Sequence, residues 1–366
     1  MPVIQYRRDL HQIPELDRDL PETIAYLQKA LSRHRCRVFS PAEGALCAWF
    51  DAGKENTVAL RADMDALPVE ETGESPFRSR HPGRMHACGH DGHMAMVLAL
   101  ADAIETRLEP LRQNVLLIFQ PAEETTGGAK DICDSGVLTE YGVRRIFGIH
   151  LWPGLPEGTI WTRPGALMAK NSEVDLRITG RSAHITRADQ GLDALWWGTE
   201  WLRRIYAMVD GELPASELRV LRFGQMESGT VRNAVSAQTV LRGSLRVFSM
   251  DTFSFLCCRV RELGEDIARE SGCAVEARFS AGYPPVWNDE GLVEAVCRHL
   301  GERAPSLLDE PALTAEDFSF YQQQVPGVFF FLGAGDVPPL HAADFHFDER
   351  ILERGVDLYQ ELVDLL

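Results

Sequence analysis

Ten consecutive residues, Arg84-Met85-His86-Ala87-Cys88-Gly89-His90-Asp91-Gly92-His93, hold three of the chain's eleven histidines and one of its eight cysteines. Thiolate, imidazole and carboxylate are the usual ligands of zinc and related transition metals. Cys88 and His90, two apart in a glycine-containing loop, have the types and spacing to grip one ion or a close pair. Further polar residues follow short apolar runs: Asp63 and Asp65 after Thr57–Leu60, Glu123 and Glu124 after Asn114–Phe119, His150 after Arg145–Ile149. His341 follows the last apolar run, Val328–Leu332. Singly, each has a plainer reading. Adjacent glutamates are often a solvated pair, a lone His150 or His341 a core or surface residue, and His86 and His93 helix-start residues. Together they point to a metal site.

The elements that must position these residues alternate. Pro21–Leu31 and Asp91–Leu108 carry helical spacing, and Leu46–Phe50, Thr57–Leu60, Asn114–Phe119 and Arg145–Ile149 are short uninterrupted apolar strands. Such alternation predicts an α/β layer with a mixed, mainly parallel sheet, whose ligand sites form at the carboxyl ends of strands. The pattern changes near residue 170. Val174–Thr179, Thr239–Val247 and Val275–Phe279 alternate apolar and polar residues, as in a sheet wet on one face. With helices at Leu192–Met208 and Asp251–Glu270 and a strand at Arg219–Phe223, the order is βαββαβ, a ferredoxin-like α+β unit. The α/β pattern then returns, with helices expected at Asp289–Gly301, Ala315–Gln324 and Asp348–Leu365. The expected organisation is a discontinuous domain, 1–170 and 282–366, interrupted by an insertion at 171–281.

Composition narrows the function classes. The 366 residues are 45% hydrophobic and 25% charged, ordinary values for a globular protein. No run approaches the roughly 18 apolar residues of a membrane span, and the first residues lack the apolar stretch of a secretion signal. A net charge of −17 opposes nucleic-acid binding, which needs a basic face. Eight sparse cysteines fit a reduced compartment. A cytoplasmic protein with no membrane partner is expected.

Four segments resemble successive signatures of the M20 metallopeptidase clan: Arg61-Ala-Asp-Met-Asp-Ala-Leu-Pro68, Met85-His-Ala-Cys-Gly-His-Asp-Gly-His93, Phe119-Gln-Pro-Ala-Glu-Glu124 and Gly148-Ile-His-Leu-Trp-Pro153. Leu10-His-Gln-Ile-Pro-Glu15, Tyr283–Asp289, Ala315-Glu-Asp-Phe318, Pro326–Gly333 and Leu340-His341 extend the match over nearly the whole chain. The branch is that of amidohydrolases acting on N-acyl amino acids, hippurate, auxin conjugates and N-acetyldiaminopimelate. The resemblance implies a metal-dependent hydrolase of linear amide bonds, with a catalytic domain and an inserted lid that also forms a homodimer or higher homo-oligomer. It implies Cys88, His90, Glu124, His150 and His341 as ligands of two divalent ions per subunit. Zn or Mn suits that donor set best, with Co or Ni accepted. Two cations roughly 3.5–4 Å apart activate water and polarise a carbonyl. Glu123 would be the general acid and base, Glu124 holding metal while its neighbour moves the proton. Asp65 would support the site from behind. His184, in Gly180-Arg-Ser-Ala-His184, would be a lid histidine donating to the developing oxyanion, and Asn233 a lid residue near substrate.

Two segments depart from the family. Ile185-Thr-Arg-Ala-Asp189 replaces small residues followed by Pro-His, and Ala342-Ala343 replaces Ser-Pro. The first bears on substrate choice or on the contact between subunits. The expectation is therefore a two-metal hydrolase of an N-acyl amino acid. The alternatives are a dipeptidase or aminoacylase-type peptidase, and a non-catalytic metal-binding protein on the same fold.

Overall fold

A computed structural model describes residues 2–365. Its large sheet runs, edge to edge, through Arg37–Phe39, Leu46–Phe50, Asn114–Gln120, Thr57–Asp63, Val143–Pro153, Gly327–Gly335, Ile160–Thr162 and Ser306–Leu307. The four central strands, from Asn114–Gln120 to Gly327–Gly335, are mutually parallel. Their middles are continuously apolar because both faces are covered, which is the rule for parallel sheets. Leu46–Phe50 joins antiparallel at one side and Ile160–Thr162 at the other, so the sheet is mixed and mainly parallel, as expected.

The helix His90–Thr106 supplies much of the core. Met94 through Ala101 is buried all round, packing against the sheet and the helices Pro2–His11 and Leu352–Asp364. A helix apolar on every face has to lie inside. Its first turn therefore carries His90 and His93 into the interior.

The chain divides into two compact units. One holds the described residues up to 167 together with 286–311 and those from 316 onward; the other holds 168–285 and 312–315. The second unit has the four-stranded antiparallel order Ala274–Phe279, Lys170–Thr179, Gln238–Val247, Arg219–Ser228, with helices Ala194–Gly211 and Met250–Ser271. Val174, Leu176 and Ile178 share its core with Trp201, Leu241 and Val260. This is the expected βαββαβ unit.

Local differences have physical causes. His150 lies inside the strand Val143–Pro153 rather than after it, because pairing with Gly327–Gly335 continues through His150 and Trp152. The helix expected at Ala315–Gln324 shrinks to Ser319–Gln322. Glu316 and Asp317 are held by long-range bonds instead: Arg61 Nη2 donates to Glu316 Oε1 at 2.9 Å and to Asp317 Oδ1 at 2.8 Å, and the Ala129 amide donates to Asp317 Oδ2 at 3.0 Å. The C-terminal helix starts at Leu352, behind a short 3₁₀ turn at Glu349–Ile351.

Candidate metal centre at the strand ends

The carboxyl ends of the parallel strands bring the predicted residues together. The turn after Asn114–Gln120 passes through Ala122, whose φ of +58° is costly for a residue with a side chain. That turn exposes the Glu123 and Glu124 amides to one carboxylate. Glu123 N donates to Asp65 Oδ1 and Glu124 N to Asp65 Oδ2, each at 3.0 Å. Asp65 therefore fixes the backbone of both glutamates. Its own carbonyl accepts from His90 Nδ1 at 2.7 Å.

Two imidazoles are set in the same way. His90 gives its Nδ1–H to the Asp65 carbonyl, and His150 gives its Nδ1–H to the Leu151 carbonyl at 2.6 Å. A carbonyl only accepts, so each ring carries its proton on Nδ1 and a lone pair on Nε2. His150 Nε2 lies 3.4 Å from Cys88 Sγ, and His90 Nε2 lies 3.9 Å from Glu124 Oε1. His341 Nε2 is 3.1 Å from the same Glu124 oxygen. His341 sits at φ +69°, its amide tied to the Ala87 carbonyl at 2.8 Å, so strained backbone marks both contributing loops.

Donor atoms of Cys88, Glu124 and His341 lie within 4.8 Å of one another, as do those of His90, Glu123 and Glu124. His90 Nε2 is buried and has no hydrogen-bond partner among the described residues. A buried lone pair without a donor is costly, and a cation would satisfy it. Charge leads to the same requirement. Asp63, Asp65, Glu123, Glu316 and Asp317 are all buried, and Arg61 is the guanidinium set among them. Burial, then the charges of Glu316 and Glu124, push the Glu123 carboxyl well up. Burial also raises Glu124, but the His341 hydrogen bond and charge and the Cys88 hydrogen bond outweigh it and hold the group down at about 2. Burial keeps His150 down at about 3 and lowers His90, so both are neutral, as ligands must be. The donor set fits divalent ions: imidazole lone pairs, a thiol and an ionised carboxylate converge in one buried place.

Several residues have roles that the sequence reading left out. His93, taken there as a helix-start residue, bonds Asp63 and Leu151 (2.6 and 2.9 Å). Asp63 also meets Arg61 at 2.6 Å. The segment Leu10–Glu15 acts from behind. Glu15 accepts the Glu22 and Thr23 amides at the start of the helix Pro21–Leu31. His11 stands between Asp91 at 2.7 Å and Glu71 at 3.3 Å. His184 and Asn233 belong to the second unit and lie beside each other there, the Ile185 amide donating to the Asn233 carbonyl at 3.0 Å. Both side chains are exposed.

The His11 contacts carry a pH signature. Burial lowers its pKa, but the Asp91 charge and hydrogen bond and the Glu71 bond more than offset that, and the net shift is upward. A raised folded pKa contributes stability that is fully present below the unfolded value of about 6.5 and fades as pH rises through the folded value. His11→Ala should therefore lower Tm more at pH 6 than at pH 9. An equal gap at both values, or a larger one at pH 9, would remove the charged-histidine assignment.

Residues 59–365 match the family described as Peptidase family M20/M25/M40. A protein of Lacticaseibacillus paracasei named N-acetyldiaminopimelate deacetylase is 34% identical over 365 residues, covering 97% of this chain and 95% of that one. The crystal structure of a Bacillus subtilis protein, described as a dinuclear metal binding peptidase of the M20 family, superposes with a TM-score of 0.86 at 29% identity, covering 99% and 96% of the two chains. A second crystal structure, from methicillin-resistant Staphylococcus aureus, gives a TM-score of 0.94 at 28% identity, covering 100% and 96%. No described helix is long and apolar enough to cross a membrane. With the family match spanning most of the chain, and strand-end donors that suit divalent metals, the protein belongs to peptidase family M20/M25/M40 and is a hydrolase of that family.

Proposed function

We propose that the protein hydrolyses the amide bond of N-acyl amino acids, with Cys88, His90, Glu124, His150 and His341 holding two divalent cations and Glu123 moving the proton. The observation that carries this reading is the pair of committed imidazoles. His90 and His150 both spend Nδ1–H on backbone carbonyls and turn bare Nε2 atoms toward Glu124 and Cys88.

Bound divalent ions supply Lewis acidity toward an amide carbonyl and lower the pKa of water. The rest falls to side chains of this chain. Glu123 is 7% exposed, and its backbone is anchored by Asp65. Its raised carboxyl affinity for a proton suits a group that accepts one from water and passes it on. The water oxygen bonds to the acyl carbon, the C–N bond breaks, and the proton held by Glu123 goes to the departing amine. The products are a carboxylate and a free amino acid. Trp152, its ring 6.0 Å from that of His150 and stacked on Phe331 at 3.9 Å, offers an apolar wall on that side. The 34%-identical deacetylase supports a short acyl group on an amino acid.

The test is a hydrolysis screen with added Zn or Mn over N-acetyl, N-benzoyl and long-chain N-acyl amino acids, with dipeptides as the contrast. Turnover of N-acyl amino acids above dipeptides is expected. Dipeptide cleavage with no N-acyl turnover would replace this reading with the peptidase one.

A further inference from the structure

His93 is fully buried, and both of its ring nitrogens are in use. The Leu151 amide donates to Nε2 at 2.9 Å. An amide N–H cannot accept, so Nε2 holds a lone pair already engaged and the proton sits on Nδ1. That Nδ1–H donates to Asp63 Oδ1 at 2.6 Å, and the other Asp63 oxygen is held by Arg61 Nη1 at 2.6 Å. On the far side of the same residue, the Leu151 carbonyl accepts from His150 Nδ1. An unbroken series thus runs from Arg61 through Asp63, His93 and the Leu151 backbone to His150.

The Leu151 side chain adds a second constraint. A Cβ built on Gly89 would come within 2.7 Å of Leu151 Cδ1, and one on Gly92 within 3.0 Å. Gly89 follows Cys88 directly and turns at φ +85°. Leu151 therefore sits where the Cys88–His90 loop meets the strand that carries His150. A shift of its backbone would move both.

We propose that Asp63 and His93 form a positioning pair for His150: they lock the Leu151 backbone, which aims His150 Nε2 at the cation shared with Cys88, while His93 itself binds no metal. This rests on the metal-centre reading above. Donor atoms of Asp63, His90, His93 and His150 do lie within 4.8 Å of one another, a grouping that invites a four-ligand site. The hydrogen bonds exclude His93 from such a site, because its Nδ1 carries the proton and its one Nε2 lone pair is engaged by the Leu151 amide. Holding a ligand's ring from behind is what outer partners of metal-bound histidines do elsewhere, through a carboxylate or a carbonyl. Here the support passes through a second imidazole and a backbone unit.

The experiment titrates metal-free protein with Co²⁺ and follows the visible d–d absorption, the number of ions bound and the melting temperature of the metal-free form. His93→Gln keeps an oxygen that can accept the Leu151 amide; His93→Leu keeps bulk and accepts nothing. Two ions in the wild type are expected. His93→Leu should weaken one of them by about 10–100-fold and change the absorption spectrum. His93→Gln should keep both ions and the wild-type spectrum. A purely structural role would lower the melting temperature of His93→Leu without changing spectrum or affinity, and that result overturns the proposal. Loss of the same ion in both variants overturns it too, by making His93 a ligand. If His93→Leu does not fold, His93→Asn takes its place: it can still donate to Asp63 but is too short to accept the Leu151 amide, so the same weakened ion and changed spectrum are expected, and wild-type affinity and spectrum overturn the proposal. A wild type that takes fewer than two ions removes the metal-centre reading, and this pair's role with it.

Discussion

Glu123→Gln is expected to leave the bound metal in place and to cut turnover of an N-acyl amino acid by at least ~10²-fold, the low end for a lost acid–base group. The substitution keeps the side chain's volume and its backbone anchor to Asp65, and removes only the ability to take a proton. The neighbouring geometry explains why Glu123 is the one to carry it. Glu124 lies against His341, which holds it ionised and suits it to a cation. One residue earlier, Glu123 has Glu316 and Asp317 within 4.8 Å and is pushed toward its protonated form. On the proposed reading, these two adjacent carboxyls with opposite shifts divide the work of holding metal and moving a proton. Metal analysis and steady-state kinetics on the same preparation check this. Unchanged turnover would move the proton-transfer role elsewhere; lost metal would make Glu123 a ligand.

Cys88→Ala is expected to cost at least ~10²-fold in metal affinity, more than the ~10–100-fold typical of an outer partner, with turnover falling alongside. Burial, then the charges of Glu124 and Glu123, push the Cys88 thiol well up. Without a cation the group stays a protonated thiol, inert as a nucleophile. A cation beside His150 Nε2 and Glu124 Oε1 would reverse that balance, and binding would release the thiol proton. Wild-type protein should therefore release about one more proton per chain on metal binding than Cys88→Ala. Full metal retention in the variant, with unchanged proton release, would exclude Cys88 as a ligand.

The sheet and the βαββαβ unit were legible because burial writes itself into local pattern. NVLLIF and VFFFL are continuous apolar runs, and they are central parallel strands; Val174–Thr179 alternates, and its apolar members face one core. Cys88 and His90 stood out in a dense His/Cys segment, and Glu123, Glu124 and His150 because they followed apolar runs; the fold collects them at the strand ends. What escaped was whatever depended on partners distant in sequence. His93 begins a helix, as a local reading says, but its partners lie 30 and 58 residues away. Asp65 could be placed behind the site by resemblance, yet its binding of two glutamate amides depends on the left-handed turn at Ala122. Ala315–Gln324 has helical spacing, but Arg61 takes Glu316 and Asp317, and the helix yields to a buried ion-pair network. Resemblance supplied the roles proposed for His341, which local reading marked only as an imidazole after the last apolar run, and for His184 and Asn233, which no local pattern marks.

The central claim is that this strand-end cluster is a two-metal hydrolytic centre. Its most direct test is to strip the purified protein with a chelator and titrate Zn²⁺ or Mn²⁺ back while following hydrolysis of an N-acetyl amino acid. The account predicts no turnover without metal and turnover that saturates at two ions per chain. Full hydrolysis by the metal-free protein, or saturation with no more than one ion bound, would contradict it.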